Sequence, residues 1–189
     1  MKNLKTIAFA LLVVFGTTAT IAQNKKVNVE KSKINWIGKK VTGQHSGTIN
    51  FADGTLVFKK KVLTGGSFTV DMTSITVTDL EAGKGKEKLE GHLKADDFFG
   101  TATYAKAKLT FKTIAKNKDN RYNVTADMTI KDVTAPVSFV LTVKGNTATT
   151  SLKVDRTKYG IKYNSGNFFE NLGDKVISDE FDLTVNLQF

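Results

Sequence analysis

A strict alternation of apolar and polar residues constrains the fold of this chain more than any other feature. It is clearest between residues 122 and 130, where the apolar positions are Tyr122, Val124, Ala126, Met128 and Ile130. The same period of two recurs at 109–111, 137–143 and 181–189. Successive side chains of a β-strand point to opposite faces of the sheet, so this pattern gives each strand one apolar and one polar face. The sequence therefore predicts mainly half-buried β-strands.

Shorter apolar runs indicate further strands, at 34–41, 48–51, 55–59, 67–72 and 151–154. Turn-forming pairs lie between the runs, and these are Asp53-Gly54, Gly65-Gly66, Asp119-Asn120 and Gly145-Asn146. Such pairs are typical of β-hairpins. The single proline, Pro136, is expected at a strand start or a bulge, where a missing N–H donor is tolerated. The apolar runs and the turns between them together predict eight or nine antiparallel strands.

Two segments depart from the alternation. Residues 83–100 are predicted to be helical, with Leu89 and Leu93 on one face. Asp96 or Asp97 then starts a short turn that holds Phe98 and Phe99, one of them entering the barrel and the other packing outside. The second segment, 156–174, is rich in Gly, Asn, Tyr and Phe and is predicted to be a long loop.

The fold class that these elements favour is all-β. With only one short helical insertion to cover an apolar sheet face, the sheet is expected to curl into an antiparallel β-barrel of about eight strands. The helical insertion then covers one end. The interior of such a barrel is either filled by side chains or holds one small ligand.

The N-terminus has the features of a secretory signal peptide. Lys2 and Lys5 precede the apolar run 7–15, and small residues lead to Ala22. Cleavage near Ala22 would leave residues 23–189 as a single domain in the periplasm or outside the cell.

The chain has a formal net charge of +10, and its first 22 residues contribute two lysines and no acid, which leaves +8. This charge favours transient contact with an anionic membrane surface. Nucleic acid is not expected as a partner, and the sequence does not decide between a monomer and a homodimer.

The composition offers little for catalysis. The chain has no cysteine, which excludes disulfides and thiolate metal sites, and only two histidines, His45 and His92. We therefore predict no catalytic residue, no metal and no cofactor, and we interpret both histidines as structural. A hydrolase or isomerase that uses one of them remains an alternative. Either histidine, or the adjacent pair Asp155 and Arg156, could instead contact a ligand headgroup, although Asp155-Arg156 is more typical of a structural pair that positions the following loop.

Five separated motifs resemble the YceI-like family of exported lipid-binding proteins. In chain order they are Trp36 to His45 (WIGKKVTGQH), Gly91 to Lys94 (GHLK) with Asp97-Phe98-Phe99, Met128 to Val137 (MTIKDVTAPV), Asp155 to Ile161 (DRTKYGI) and Asp179 to Leu183 (DEFDL). The resemblance implies a lipocalin-like barrel whose elongated apolar cavity holds a polyisoprenoid chain such as a quinone tail. The family provides no catalytic residues to transfer.

These observations together predict non-catalytic binding, carriage or storage of a long apolar ligand, which is a polyisoprenoid, a quinone-type molecule or another lipid. The residues predicted to contact it are Trp36, Phe68, Val70, Leu93, Phe98, Phe99, Phe111, Met128 and Phe139. The alternative is an integral outer-membrane β-barrel, since a signal peptide, alternating strands and a terminal Phe189 also fit that class.

Overall fold

The computed structural model describes residues 22–189, so the predicted signal peptide lies outside the described residues apart from Ala22. The nine strands are β1 (Gln23–Lys26), β2 (Lys33–Lys40), β3 (Gly43–Lys59), β4 (Val62–Val77), β5 (Lys106–Lys116), β6 (Arg121–Ile130), β7 (Val133–Lys144), β8 (Thr147–Asp155) and β9 (Ile177–Gln188). One α-helix, α1 (Lys86–Lys94), and two short 3₁₀ turns, Arg156–Tyr159 and Gly173–Lys175, complete the described elements.

Strands β2 to β9 form a closed antiparallel barrel. Each strand pairs with its neighbour in the chain, β9 pairs with β2, and β3 pairs with both β2 and β4. The short β1 pairs outside this ring with residues 55–58 of β3, beyond the part of β3 that pairs with β2. The predicted all-β barrel with eight strands and a short helix is therefore confirmed.

The alternation places apolar side chains inside the barrel. In β6 the residues Tyr122, Val124, Ala126, Met128 and Ile130 are buried, and the polar residues between them lie on the outer face. The buried apolar side chains of the barrel form one continuous cluster.

Two of the four predicted turns are wrong. Asp53-Gly54 lies inside β3 and Gly65-Gly66 inside β4. A Cβ on Gly54 would lie 2.8 Å from the Phe68 ring, and one on Gly66 would lie 2.6 Å from the Phe111 ring. These glycines therefore make room for aromatic rings. The turns predicted at Asp119-Asn120 and Gly145-Asn146 do separate strands.

Strands β7 and β8 pair over only part of their length. Their ladder is confined to residues 142–144 and 147–149, although β8 pairs with β9 along its whole length. Pro136 lies near the start of β7, in the half without a β8 partner, and its register with β6 is regular. As the fourth residue of β7, Pro136 lies neither at the strand start nor at a bulge, and its missing N–H donor is tolerated because this half of β7 has no β8 partner. The 3₁₀ turn Arg156–Tyr159 packs against β7 and β9, and Tyr159 and Ile161 are fully buried.

Since neighbouring strands are antiparallel, alternate connections lie at the same end of the barrel. The connections 41–42, 78–105, 131–132 and 156–176 share one end, which we call the mouth end. Helix α1 lies at this end. Within residues 22–189, no helix combines the length and the hydropathy needed to cross a membrane.

Candidate functional site

The barrel interior contains an apolar cavity at the mouth end, which we call cavity 1. Its volume is about 150 Å³ and its accessible wall is apolar. Six of the residues predicted to contact a ligand line it, and these are Trp36, Val70, Leu93, Phe98, Phe99 and Met128. An apolar cavity of about this size in a protein core stays dry and accepts small apolar molecules. Cavity 1 is therefore suited to apolar groups.

A second cavity, cavity 2, lies deeper in the barrel. It has a volume of about 90 Å³, and its accessible wall is also apolar. The remaining three predicted contact residues, Phe68, Phe111 and Phe139, line it. The three rings form a row, because the Phe111 centroid lies 5.6 Å from that of Phe68 and 5.9 Å from that of Phe139.

The two cavities share part of their wall, which we call the waist. Its five residues are Ile34, Val70, Leu109, Met128 and Leu183. At the mouth end of β9, Ile177, Ser178 and Glu180 line cavity 1. From there the inward-facing wall residues Phe181 to Leu187 span a rise of about 20 Å at roughly 3.3 Å per residue. A strand tilt of about 40° reduces this to about 15 Å along the barrel axis. An extended hydrocarbon chain advances about 1.25 Å per carbon, because its roughly 1.5 Å bonds zigzag, so it would place on the order of 12 carbons in that length. The shape of the interior thus suits a chain.

Two anchors fix the segment that covers the mouth. In α1, the Glu90 carboxylate accepts hydrogen bonds from the Thr76 hydroxyl at 2.6 Å and the Val77 N–H at 2.8 Å, and these bonds lower the pKa of Glu90. Beyond the helix, the Lys131 ammonium donates to the carbonyls of Asp96 at 2.7 Å and Phe98 at 2.9 Å. The covering segment is therefore tied to both β4 and the β6–β7 turn.

The prediction that only one of Phe98 and Phe99 enters the barrel is wrong. Both are buried, both line cavity 1, and their rings meet edge to face with centroids 5.2 Å apart. The helix ends at Lys94, and the Phe98 N–H donates to the Ala95 carbonyl while the Phe99 N–H donates to that of Leu93. In this irregular turn, the successive side chains do not diverge as they would in a continuing helix.

Arg156 is buried beside cavity 1, with 2% of its side chain exposed. Its guanidinium donates to the carbonyls of Ser178 at 3.0 Å, Ile161 at 2.9 Å and Ile177 at 3.0 Å. The charge lies 5.7 Å from the Phe98 ring centroid, and burial lowers the pKa of Arg156. These bonds make Arg156 the tie that holds both ends of the 161–178 loop against the mouth.

The predicted pairing of Arg156 with the Asp155 carboxylate is wrong. The carboxylate in contact with Arg156 is that of Asp179, at 3.4 Å. Asp155 instead caps the 3₁₀ turn, since its carboxylate accepts from the N–H and the hydroxyl of Thr157 at 2.9 and 2.6 Å. The interpretation of this region as a loop-positioning device holds, with a different carboxylate.

The two histidines lie outside both cavity walls. His45 Nδ1 is 2.9 Å from an Asp79 carboxylate oxygen, and the second oxygen accepts from the Ser46 N–H. The ring of His92 lies 4.5 Å, centroid to centroid, from that of Tyr163 at the mouth. Among residues 22–189, no group of three or more His, Cys, Asp or Glu side chains is placed to hold a metal ion.

The sequence did not single out several residues of the wall. These are Ile34, Phe51, Ile75, Leu109, Ile130, Leu141, Phe181, Leu183, Val185 and Leu187. In β9 the alternation itself carries the signal, because every second residue from Phe181 to Leu187 is apolar and faces inward. Alternation identifies the inner face of a strand, but the part of that face that borders empty space depends on the neighbouring strands.

Comparison with known proteins places this barrel in a family. The model of the YceI-like domain matches residues 26–189. Protein YceI from Escherichia coli strain UMN026 is 27% identical over 152 residues, which cover 72% of this chain and 70% of that protein. The crystal structure of BcnA from Burkholderia cenocepacia has a TM-score of 0.67 at 23% identity and covers 85% of this chain and 98% of its own. A polyisoprenoid binding domain from Saccharophagus degradans has a TM-score of 0.58 at 15% identity, with 89% and 97% covered. The chain therefore belongs to the YceI-like family.

Proposed function

We propose that this protein binds the apolar chain of a lipid, of the polyisoprenoid or quinone type, along the axis of its barrel. The observation that carries the proposal is the pair of apolar cavities that share the waist residues and follow one another along about 15 Å of the barrel axis. The polyisoprenoid binding domain of similar fold from Saccharophagus degradans supports the ligand class. The nine predicted residues on the two walls are the proposed contacts.

Burial of the chain supplies a large favourable contribution to binding without designed hydrogen bonds. Each buried CH₂ contributes roughly 0.8 kcal/mol, so about ten carbons contribute roughly 8 kcal/mol before ordering costs. Micromolar affinity corresponds to a net free energy of about 8 kcal/mol, so burial of the rest of the ligand must offset the ordering costs. Binding without chemistry, for carriage or storage, is the function that this interior supports.

The direction of the alternation disfavours an integral outer-membrane barrel. Such barrels present apolar side chains to lipid and polar ones to the lumen. Here Met128 and Ile130 are buried inside, whereas Asp127 and Lys112 pair at 3.3 Å on the outer face. The residue pattern is the reverse of the membrane class.

Trp36 offers a direct assay of binding. It is the only tryptophan in the chain and it lines cavity 1. Titration with decylubiquinone should quench its fluorescence saturably with micromolar affinity, because the quinone would lie close to the indole. The tail-less quinone with the same ring is the matched control and should quench only weakly and without saturation. Equal quenching by both compounds would contradict chain binding.

We further propose that the protein acts after export. The signal-peptide features of residues 1–22 support this location. The mass of the protein recovered from its producing cells should correspond to a chain that begins near Gln23. Recovery of the full-length chain from the cytoplasm alone would contradict export.

A further inference from the structure

The exposed large apolar side chains are concentrated at the mouth end. Among the described residues they are Val41, Val133, Tyr163, Phe168 and Phe169. Val41 belongs to the 41–42 turn, Val133 follows the 131–132 turn, and the three aromatic residues belong to the 156–176 connection. Scattered exposed apolar residues are normal on protein surfaces. Their restriction to the end where cavity 1 lies is a specific feature.

The two phenylalanines are held outward by an ordered turn. Phe168 and Phe169 are 46% and 50% exposed, and both of their N–H groups donate to the carbonyl of Ser165, at 3.1 and 3.0 Å. Ser165 itself is fully buried. The Ile177 N–H donates to the Asn164 carbonyl at 2.9 Å, which ties this turn to the start of β9. The exposure of the two rings is therefore built into the loop.

The net positive charge of the protein is not located at this end. The connections 41–42, 78–105, 131–132 and 156–176 contain nine basic and nine acidic residues. The charge of +8 expected for the mature chain is therefore carried by the strands and by the opposite end. An approach to a bilayer through the mouth end would depend on its apolar side chains, and net charge would contribute little. This distribution favours a different membrane contact from the electrostatic one expected from the composition.

We propose that the mouth end is a docking face for a lipid bilayer, in which Phe168 and Phe169 enter the headgroup region. The proposal rests on the proposed function, because a long apolar ligand would otherwise cross water, at roughly 0.8 kcal/mol for each exposed CH₂. Aromatic side chains suit the boundary between headgroups and acyl chains. Lys162, whose ammonium lies 4.4 Å from the Phe168 ring centroid, is placed to reach lipid phosphates. Docked in this way, cavity 1 faces the source of its ligand.

Vesicle flotation tests the docking face. The unaltered protein should float with phosphatidylcholine vesicles at both low and high salt. Adding phosphatidylglycerol to the vesicles should change the floated fraction little. The double variant Phe168→Ser/Phe169→Ser should lose about tenfold or more of its partitioning, since two large apolar groups no longer enter the bilayer. The matched control Lys60→Gln/Lys61→Gln removes two charges from the β3–β4 turn at the opposite end and should float unchanged. The conservative pair Phe168→Trp/Phe169→Trp should retain flotation.

Decylubiquinone titration in solution separates this proposal from the proposed function. The serine variant should bind decylubiquinone with unchanged affinity, because neither phenylalanine lines a cavity. If the unaltered protein binds decylubiquinone but does not float, the docking face is wrong. Flotation that requires phosphatidylglycerol and is lost in the Lys60/Lys61 variant would overturn the docking face, because the membrane contact would then be electrostatic and would involve the opposite end. A dimer in sedimentation that the serine variant abolishes, without flotation, would assign these rings to a second copy of the chain. If decylubiquinone does not bind, the proposed function fails, and flotation alone decides the docking face.

Discussion

Replacing Val70 by phenylalanine tests whether the waist of the barrel borders empty space. Val70 lies in β4 between a cavity of about 150 Å³ and one of about 90 Å³. Phenylalanine adds about four carbons, whose burial contributes roughly 3 kcal/mol if they enter empty apolar space. In a packed core the same enlargement costs about 1–3 kcal/mol. The sign of the change in the free energy of unfolding therefore distinguishes the two situations.

Val124→Phe is the matched control. Val124 is 2% exposed, lies inside the barrel in β6, and is absent from both cavity walls. Urea unfolding should show Val70→Phe to be as stable as the unaltered protein or up to about 3 kcal/mol more stable, and Val124→Phe to be about 1–3 kcal/mol less stable. Decylubiquinone affinity should fall at least about tenfold in Val70→Phe, because the ring blocks the waist, and should persist in Val124→Phe. Equal destabilisation of both variants with unchanged binding would refute the reasoning.

Three further predictions concern the mouth. Phe98→Ala and Phe99→Ala should each cost about 3–5 kcal/mol of stability and weaken decylubiquinone binding. If both variants lose stability but keep their affinity, this segment only closes the barrel end and does not contact the ligand. Arg156→Met should cost about 3 kcal/mol or more in urea unfolding, since three carbonyls lose their donor, and a loss below about 1 kcal/mol would contradict that role. Burial raises the pKa of Tyr159 to about 12. Because the unfolded chain loses this proton near pH 10, the contribution of Tyr159 is fully present below about pH 10 and should fall by about 2–3 kcal/mol as the pH approaches 12. Tyr159→Phe should lack this fall, and identical pH profiles of the two proteins would show the prediction to be wrong.

The barrel could be predicted from the sequence because each strand carries the alternation locally. The strand boundaries depended on contacts between distant segments. Gly66 resembles a turn residue in the sequence, but it lies in β4 because the Phe111 ring occupies the space that a side chain would need. The true β3–β4 turn, Lys60-Lys61, has φ angles of 49° and 63°, a conformation for which two lysines give no sequence signal.

Wall residues of the candidate site could be predicted where a family motif or the apolar–polar alternation of a strand marks them. The resemblance directed attention to Trp36 and to the Phe98-Phe99 pair, and all three lie on the wall of cavity 1. The partner of Arg156 was not predictable, because Asp179 is distant in the chain and meets Arg156 only when β9 enters the barrel beside β8. The exposed position of Phe168 and Phe169 likewise depends on the buried turn at Ser165, which leaves no mark in the composition.

Native mass spectrometry of the gently purified protein tests the central claim most directly. After incubation with geranylgeraniol, a linear prenyl alcohol, the spectrum should show one added ligand per chain, and the adduct should be absent from the Val70→Phe variant. Protein purified from its own host without added ligand should also release a lipid on organic extraction. Bare polypeptide in both preparations would contradict a lipid-binding interior, as would an adduct of equal abundance in the Val70→Phe variant.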